Sequence, residues 1–181
     1  MVGTFTPIIE WVNEEPGDAY TTPVVANLTD DDGDGKVDDD DVPDVVIGNT
    51  AGTYWAVSGD DGHTLWSTRE SLGSEPMAAA LADVNGDGWQ DIYVSNDYIT
   101  NDLLYINQKN GTFKNEMDQY IRHQSKFSMG NDAADINNDG LLDIMTVDML
   151  PDNNLRKKTV IGGAGYITYI NDGKFGYAHQ Y

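Results

Sequence analysis

A short acidic stretch in the middle of the chain decides the fold: Asp83-Val84-Asn85-Gly86-Asp87-Gly88-Trp89-Gln90-Asp91. Oxygen-bearing side chains stand at alternate positions, and a further acid closes the stretch, so a tight loop would direct several oxygens to one centre. Calcium takes about six to eight oxygen ligands at about 2.3–2.6 Å. Gly88 permits the sharp backbone turn that such a loop requires. The stretch therefore predicts a calcium-binding loop.

The same pattern occurs three times. Residues 135–143 repeat it with the same ligand types, and residues 30–38 keep the spacing within a longer acidic run that continues to Asp41. A single loop of this kind has a plain alternative, a solvated acidic turn. Three copies favour metal binding, because each has a glycine in the same place and is followed by an apolar run. These apolar runs predict buried strands.

The predicted ligands are the side-chain oxygens of each loop and the backbone carbonyl oxygen two residues before its ninth position. They are Asp30, Asp32, Asp34, Lys36, Asp38 and Asp41 in the first loop, Asp83, Asn85, Asp87, Trp89 and Asp91 in the second, and Asp135, Asn137, Asp139, Leu141 and Asp143 in the third. We expect about three Ca²⁺ ions, one in each loop. The first loop also fits the twelve-residue spacing of a helix-loop-helix calcium site, with Asp41 last. Asp44 is either an extra ligand or the first residue of the next strand.

Composition narrows the function classes. The chain has 181 residues, enough for one domain, with 31 acidic against 10 basic residues and a net charge of −21. This charge argues against nucleic acids and anionic membranes as partners. No run of about 18 apolar residues is present to span a membrane. The absence of cysteine excludes disulfides and thiolate metal sites.

The metal chemistry also predicts a location. Weak calcium loops fill where free calcium is high, so we expect the cell exterior, the cell surface or the periplasm. Residues 1–20 lack the basic start and apolar core of a signal peptide.

Short strands with turn residues between them surround each loop. A period of about 40–50 residues with four strands is typical of a β-propeller blade. We therefore expect an all-β fold of three four-stranded antiparallel blades, at residues 22–70, 77–118 and 128–181, with a strand over residues 4–12 that latches onto a blade. Alanines precede each loop, as the crowded inner strands of a propeller favour. The alternative is a sandwich or β-solenoid with calcium-clipped turns.

Several stretches resemble the FG-GAP/VCBS repeat family. They are Ala82–Val94, its counterpart at residues 134–147, and Tyr105-Ile106-Asn107 followed by Gly111-Thr112-Phe113. The family includes the calcium-binding blades of integrin α-subunit propellers and many bacterial surface and secreted proteins, and residues 128–135 and 148–154 resemble its bacterial branch. The resemblance covers roughly residues 22–181. It implies structural calcium ions and a non-enzymatic function in extracellular adhesion or recognition of a protein or glycan.

The chain departs from the family in its number of blades. Family propellers have about seven blades, whereas three are expected here. We therefore expect either self-association into a dimer that completes a propeller, or flanking blades of a larger protein. Two alternatives stay open: a propeller part of a carbohydrate-active enzyme of the lyase or dehydratase kind, and an engineered or truncated scaffold that only assembles with itself.

Overall fold

A computed structural model describes residues 8–68, 76–97, 101–125 and 127–149, together with Asn153, Leu155 and Arg156; for residues 76 and 77 it describes the backbone alone. The named elements of the described residues are β-strands and one short helix, α1 (Met117–Tyr120), and Leu155 and Arg156 are also helical. No helix in this part of the chain is long and apolar enough to cross a membrane.

Two sheets have four antiparallel strands in sequence order, as the repeat predicted. The first, blade 1, contains β1 (Val24–Ala26), β2 (Asp44–Gly48), β3 (Tyr54–Val57) and β4 (Thr64–Ser67). The second, blade 2, contains β5 (Pro76–Ala82), β6 (Asp91–Asn96), β7 (Leu103–Asn107) and β8 (Phe113–Asn115). The expected all-β fold of propeller-type blades is thereby confirmed.

A third sheet, blade 3, pairs β9 (Ser128–Ala134) with β10 (Asp143–Asp148). The rest of the four-stranded blade expected at residues 128–181, from residue 157 onward, lies outside the described residues.

All three sheets share one register. Ala26 pairs with Asp44, Ala82 with Asp91, and Ala134 with Asp143. Each acidic loop therefore connects the first two strands of its sheet. The first strands also lie side by side, since β5 contacts both β1 and β9. Short alanine side chains allow this close approach.

Blades 1 and 2 share a hydrophobic core. Leu28, Val46 and Tyr54 of blade 1 cluster with Ile92 and Val94 of blade 2, and all five are buried. Burial of such side chains contributes about 1.5–3 kcal/mol each. This contact joins the two sheets face to face.

An aromatic group closes the outer part of the same interface. The ring of Trp66 on β4 meets Tyr105 edge-on at 4.7 Å and Phe113 at 5.2 Å between centroids. Aromatic pairs in this geometry contribute about 0.5–1.5 kcal/mol beyond their buried area. The tryptophan therefore packs between blades rather than presenting a free stacking surface.

A buried carboxylate joins blades 2 and 3. Asp102 is fully buried and accepts hydrogen bonds from the Tyr93 hydroxyl at 2.7 Å, the Ser128 hydroxyl at 2.7 Å and the Asn96 N–H at 2.9 Å. Burial raises the pKa of this carboxyl, and the three donors act against that shift. Because Ser128 opens β9, the carboxylate ties the two sheets together.

The N-terminal segment differs from the expected strand over residues 4–12. Residues 4–7 lie outside the described part of the chain, and residues 8–12 form no strand. The Trp11 indole instead donates to the Gly59 carbonyl at 3.0 Å, and the Asn13 amide donates to the Gly62 carbonyl at 2.9 Å. Side chains, not a strand ladder, therefore fasten this segment to the turn between β3 and β4.

Candidate metal centres

The second loop, between β5 and β6, is organised around its opening acid. One Asp83 oxygen accepts the N–H groups of Gly86 at 2.8 Å and Asp87 at 3.0 Å, and the other accepts the N–H of Gly88 at 2.8 Å. Asn85 and Asp87 each accept the N–H two residues further on, both at 3.0 Å. These bonds hold the alternate side chains in place from within the loop.

The other two loops repeat this network. Asp30 accepts N–H groups from residues 33, 34 and 35 at 2.7, 3.1 and 2.9 Å. Asp135 accepts those of residues 139 and 140 at 3.0 and 2.8 Å. Asp32, Asp34, Asn137 and Asp139 form the same two-residue bonds as their counterparts in the second loop.

The glycine before the seventh position of each loop is required by backbone conformation. The φ angles are +88°, +87° and +86° at Gly35, Gly88 and Gly140. This left-handed conformation is unfavourable for residues that have a Cβ atom. Asn138 takes a similar conformation, φ 60°, where the second loop has Gly86. Asparagine is among the few residues that tolerate it.

The closing acid of the second loop binds both the loop and the sheet. Asp91 accepts the Val84 N–H at 2.9 Å with one oxygen and the Asn107 N–H at 2.9 Å with the other. Burial raises the pKa of Asp91 to about 6, against these two hydrogen bonds and with the help of the nearby Asp87 and Asp83 charges. Without a cation, this carboxylate is thus held in an unfavourable environment.

In the first loop two acids, Asp41 and Asp44, make the two kinds of contact that Asp91 makes alone in the second: one to the loop and one to the sheet. Asp41 accepts the N–H of Asp31, the residue after the opening acid, at 2.8 Å, as Asp91 accepts that of Val84. Asp44 accepts the N–H of Gly59, two residues after the end of β3, at 3.3 Å, as Asp91 accepts that of Asn107 at the end of β7.

Asp44 therefore opens β2 and anchors it. It is fully buried, and its second oxygen accepts the Leu28 N–H at 2.9 Å and the Thr29 hydroxyl at 3.0 Å. Burial raises the pKa of this carboxyl. Of the two roles that the sequence left open for Asp44, the geometry supports the strand-opening one.

The structure brings together Asp30, Asp32 and Asp41, whose nearest carboxylate oxygens lie within 4.8 Å of one another. Across the described ranges, no other three acidic or histidine side chains approach so closely. Asp38 is directed elsewhere: its carboxylate accepts the Asp40 N–H at 3.1 Å, and its own N–H donates to Asp41 at 2.8 Å. This arrangement favours the twelve-residue spacing, with Asp41 last, over the nine-residue spacing.

Lysine ammonium groups lie against the acid at the fifth position of two loops. Lys36 Nζ is 3.0 Å from an Asp34 oxygen, and Lys109 Nζ is 3.3 Å from an Asp87 oxygen. All four side chains are at least a quarter exposed, so each pair contributes about 0–1 kcal/mol. A divalent cation would compete with these weak pairs. For Lys36 the prediction concerned only the backbone carbonyl oxygen as a ligand, whereas the structure also places its ammonium group against Asp34.

The donor set fits calcium. Every side-chain candidate in the three loops is a carboxylate or an amide oxygen, the hard ligands that calcium prefers. Each carboxylate oxygen has two lone pairs, so an oxygen that accepts one backbone N–H can still face a cation. In Asp30 and Asp83 this is the oxygen that accepts the glycine N–H of the sixth loop position, since the other oxygen accepts two N–H groups. The loops therefore hold their oxygens in position through bonds that metal binding need not break.

Sequence reasoning did not assign a role to Asn107 or Asp102, both buried polar residues. Asn107 did carry a signal, because the triplet Tyr105-Ile106-Asn107 recurs as Tyr169-Ile170-Asn171. Asp102 carried none.

Comparison with known proteins defines the class of protein. A sequence profile of the FG-GAP-like repeat matches residues 36–94 and again residues 83–146. The two matches together span more than half of the chain, and the chain therefore belongs to the FG-GAP-like repeat family. No curated protein sequence matches it.

Among solved structures, the chain is similar to the V. cholerae biofilm matrix protein Bap1, with a TM-score of 0.46 and 20% sequence identity. The similarity covers 71% of this chain and 28% of Bap1. The chain thus spans less than a third of that protein.

The division of roles between Asp41 and Asp44 predicts different effects of their removal. Asp44→Ala should lower the free energy of unfolding in chelator by about 2–3 kcal/mol, because the buried Leu28 N–H and the half-buried Gly59 N–H lose their acceptor. Asp41→Ala should lower it by less than about 1 kcal/mol, because water can reach the exposed loop N–H groups, but should abolish ion binding in the first loop. Urea unfolding and calcium titration of both variants check this. Equal losses of metal-free stability would contradict the assignment.

The raised pKa of Asp91 predicts the pH dependence of the metal-free protein. A folded-state pKa of about 6 exceeds the ordinary value of 3.8, so the folded state binds the proton more tightly than the unfolded state. The stability that results is present at low pH and is lost as pH rises through about 6. Urea midpoints in chelator should therefore fall between pH 5 and pH 7.

Asp91→Asn should flatten that slope, whereas Asp118→Asn, at an exposed position on α1, should leave it unchanged. Buried Asp44 and Asp102 shift in the same direction and should retain part of the slope in both variants. An identical slope in the native chain and the Asp91→Asn variant would count against the role of Asp91. Added calcium should oppose the trend, because calcium binds the ionised carboxylate.

Proposed function

We propose that this chain is a calcium-braced, non-enzymatic module of the FG-GAP-like family that recognises a protein or glycan outside the cell. The observation that carries the proposal is the recurrence of one loop design. An acid that binds the loop's own N–H groups, alternating oxygens and a closing acid all lie between the first two strands of each sheet. Family membership favours a structural repeat of this kind.

Calcium would act on the fold through charge. The acids gathered in each loop repel one another, and the net charge of −21 adds to that repulsion. An ion bound to the folded loop and not to the unfolded chain stabilises the fold by about 2.7 kcal/mol at a hundredfold excess over Kd. Filled loops would thus fix the turns between first and second strands.

The proposed location follows from the same chemistry. Extracellular calcium modules have dissociation constants of about 10⁻⁴–10⁻³ M, which suit extracellular calcium and not the cytosol. The loops are mostly solvent-exposed and carry two lysine counter-ions, features that weaken affinity. A cell-surface, secreted or periplasmic setting would keep them filled.

A neighbouring blade is the proposed partner of the blade 1 end of the sheet array. Val25 of β1 exposes 60% of its surface, and Ile8 and Ile9, which precede the Trp11 segment fastened to blade 1, expose 85 and 84%. Exposed apolar groups of this kind are typical of protein contacts. Either a second copy of the chain or the flanking blades of a larger protein would cover them.

The proposal is tested by counting bound calcium and probing recognition on the same samples. Native mass spectrometry should find about one ion per loop, and Asp83→Ala or Asp135→Ala should each remove one ion. On arrays of glycans and cell-surface proteins, binding should be present in calcium and lost after chelation.

Asp118→Ala is the matched control, since it removes an exposed acid outside the loops and should change neither result. An unchanged ion count in both loop variants would refute the calcium assignment. Binding that survives complete chelation would refute the proposed dependence of recognition on the ions.

A further inference from the structure

One buried amide bridges the first two acidic loops. Asn107 ends β7 and exposes 3% of its surface. Its N–H donates to the Asp91 carboxylate at 2.9 Å, and its side-chain amide donates to the Gln90 carbonyl at 3.3 Å. The same amide donates across the blade interface to the Leu28 carbonyl at 3.1 Å. This one residue therefore contacts the closing end of the second loop and the residue two positions before the first.

The bridge continues into the first loop. The Leu28 N–H donates to Asp44 at 2.9 Å, and Asp44 anchors the strand that leaves the loop. Asp44, Leu28, Asn107 and Asp91 thus form one hydrogen-bonded chain, and none of them exposes more than 3% of its surface. Away from water, such bonds are stronger and transmit positional restraint, since a broken bond leaves a buried polar group unpaired.

Blade 1 lacks an equivalent of this bridge. By sheet register, Asn107 corresponds to Gly59 of blade 1, because Tyr105 pairs with Ile92 as Val57 pairs with Val45. Gly59 keeps the backbone bond to the strand-opening acid but has no side chain. The blade plan thus needs the N–H at this position, whereas the amide side chain serves the contact with the neighbouring blade.

We propose that Asn107 couples calcium binding in the first and second loops, so that an ion in one raises the affinity of the other. The inference rests on the proposed calcium binding. An ion in the second loop orders Asp91, which fixes Asn107 and through it the Leu28 backbone that leads into Asp30. The second ion then binds a loop that is already ordered, which is positive cooperativity through shared ordering. The coupling is reciprocal by thermodynamic necessity.

A double-mutant cycle read by NMR tests the coupling. The Gly35 and Gly88 amides donate to the opening acids of the first and second loops at 2.9 and 2.8 Å, so their resonances report calcium binding at each loop separately. In the native chain, Asp30→Ala disables the first loop and should weaken calcium binding at the second by about 5- to 10-fold. In the N107A background, Asp30→Ala should change the second loop by less than twofold.

Several outcomes are distinguishable. If Asn107 only supports the fold, both affinities fall in N107A but Asp30→Ala still weakens the second loop to the same extent, which overturns the proposal. An absent effect of Asp30→Ala in the native chain overturns it equally. If neither glycine responds to calcium in the native chain, the proposed calcium binding itself fails.

Two further variants guard the test. Asn107→Gly copies the residue that blade 1 carries at this position, so it retains the backbone bond and substitutes for N107A if that variant does not fold. Asn110→Ala is the matched control, because it removes an asparagine from the same turn; the Asn110 side chain accepts hydrogen bonds from Thr112 within that turn. It should leave the coupling intact.

Discussion

Repulsion between carboxylates gathered in short loops is the constraint on which the rest of the structure depends. In the first loop three of them bring oxygens within 4.8 Å of one another. Backbone N–H groups of the same loop neutralise part of this charge, and Lys36 and Lys109 neutralise a little more at exposed positions. Neither source matches a divalent cation, which would meet several carboxylates at once. A bound ion would therefore offset the charge that the loop's own donors leave.

The closing acids connect the charged loops to the sheets by hydrogen bonds. Asp91 sits at the first position of β6, buried, with one oxygen toward its loop and one toward β7. In blade 1 the longer loop divides these contacts between two residues. Asp44 accepts the N–H from the sheet, and Asp41 accepts the N–H from the loop. Strand pairing and loop conformation therefore meet at single carboxylates, and Asn107 extends the connection across the blade interface. Calcium in such a loop would stabilise more than a surface turn.

Much of this architecture follows from sequence pattern. Alternating acids with a glycine at a fixed place predict the loops, because few other structures need that spacing, and the apolar runs after them predict β2, β6 and β10. The blade plan then follows from the repeat. The N-terminal segment was harder, because an apolar run such as Ile8-Ile9 resembles a strand, whereas long-range bonds from Trp11 and Asn13 decide its path.

The positions of the candidate ligands in the loops were predictable, but the contacts of each acid were not. The nine-residue spacing places Asp38 last in the first loop. Because this loop is longer, however, Asp41 and not Asp38 lies close to Asp30. Asp102 resembles an ordinary turn residue in sequence, and the recurring Tyr-Ile-Asn triplet marks Asn107 without indicating its partners. Their importance comes from partners up to 79 positions away, which no local pattern reveals.

The most direct test of the account is the melting temperature of the protein in calcium and after exhaustive removal of metal, with the ion content of each sample measured by elemental analysis. The account predicts bound calcium in the first sample and a melting temperature lower by roughly 10–20 °C in the second. An unchanged melting temperature, with no ion bound in either sample, would contradict it.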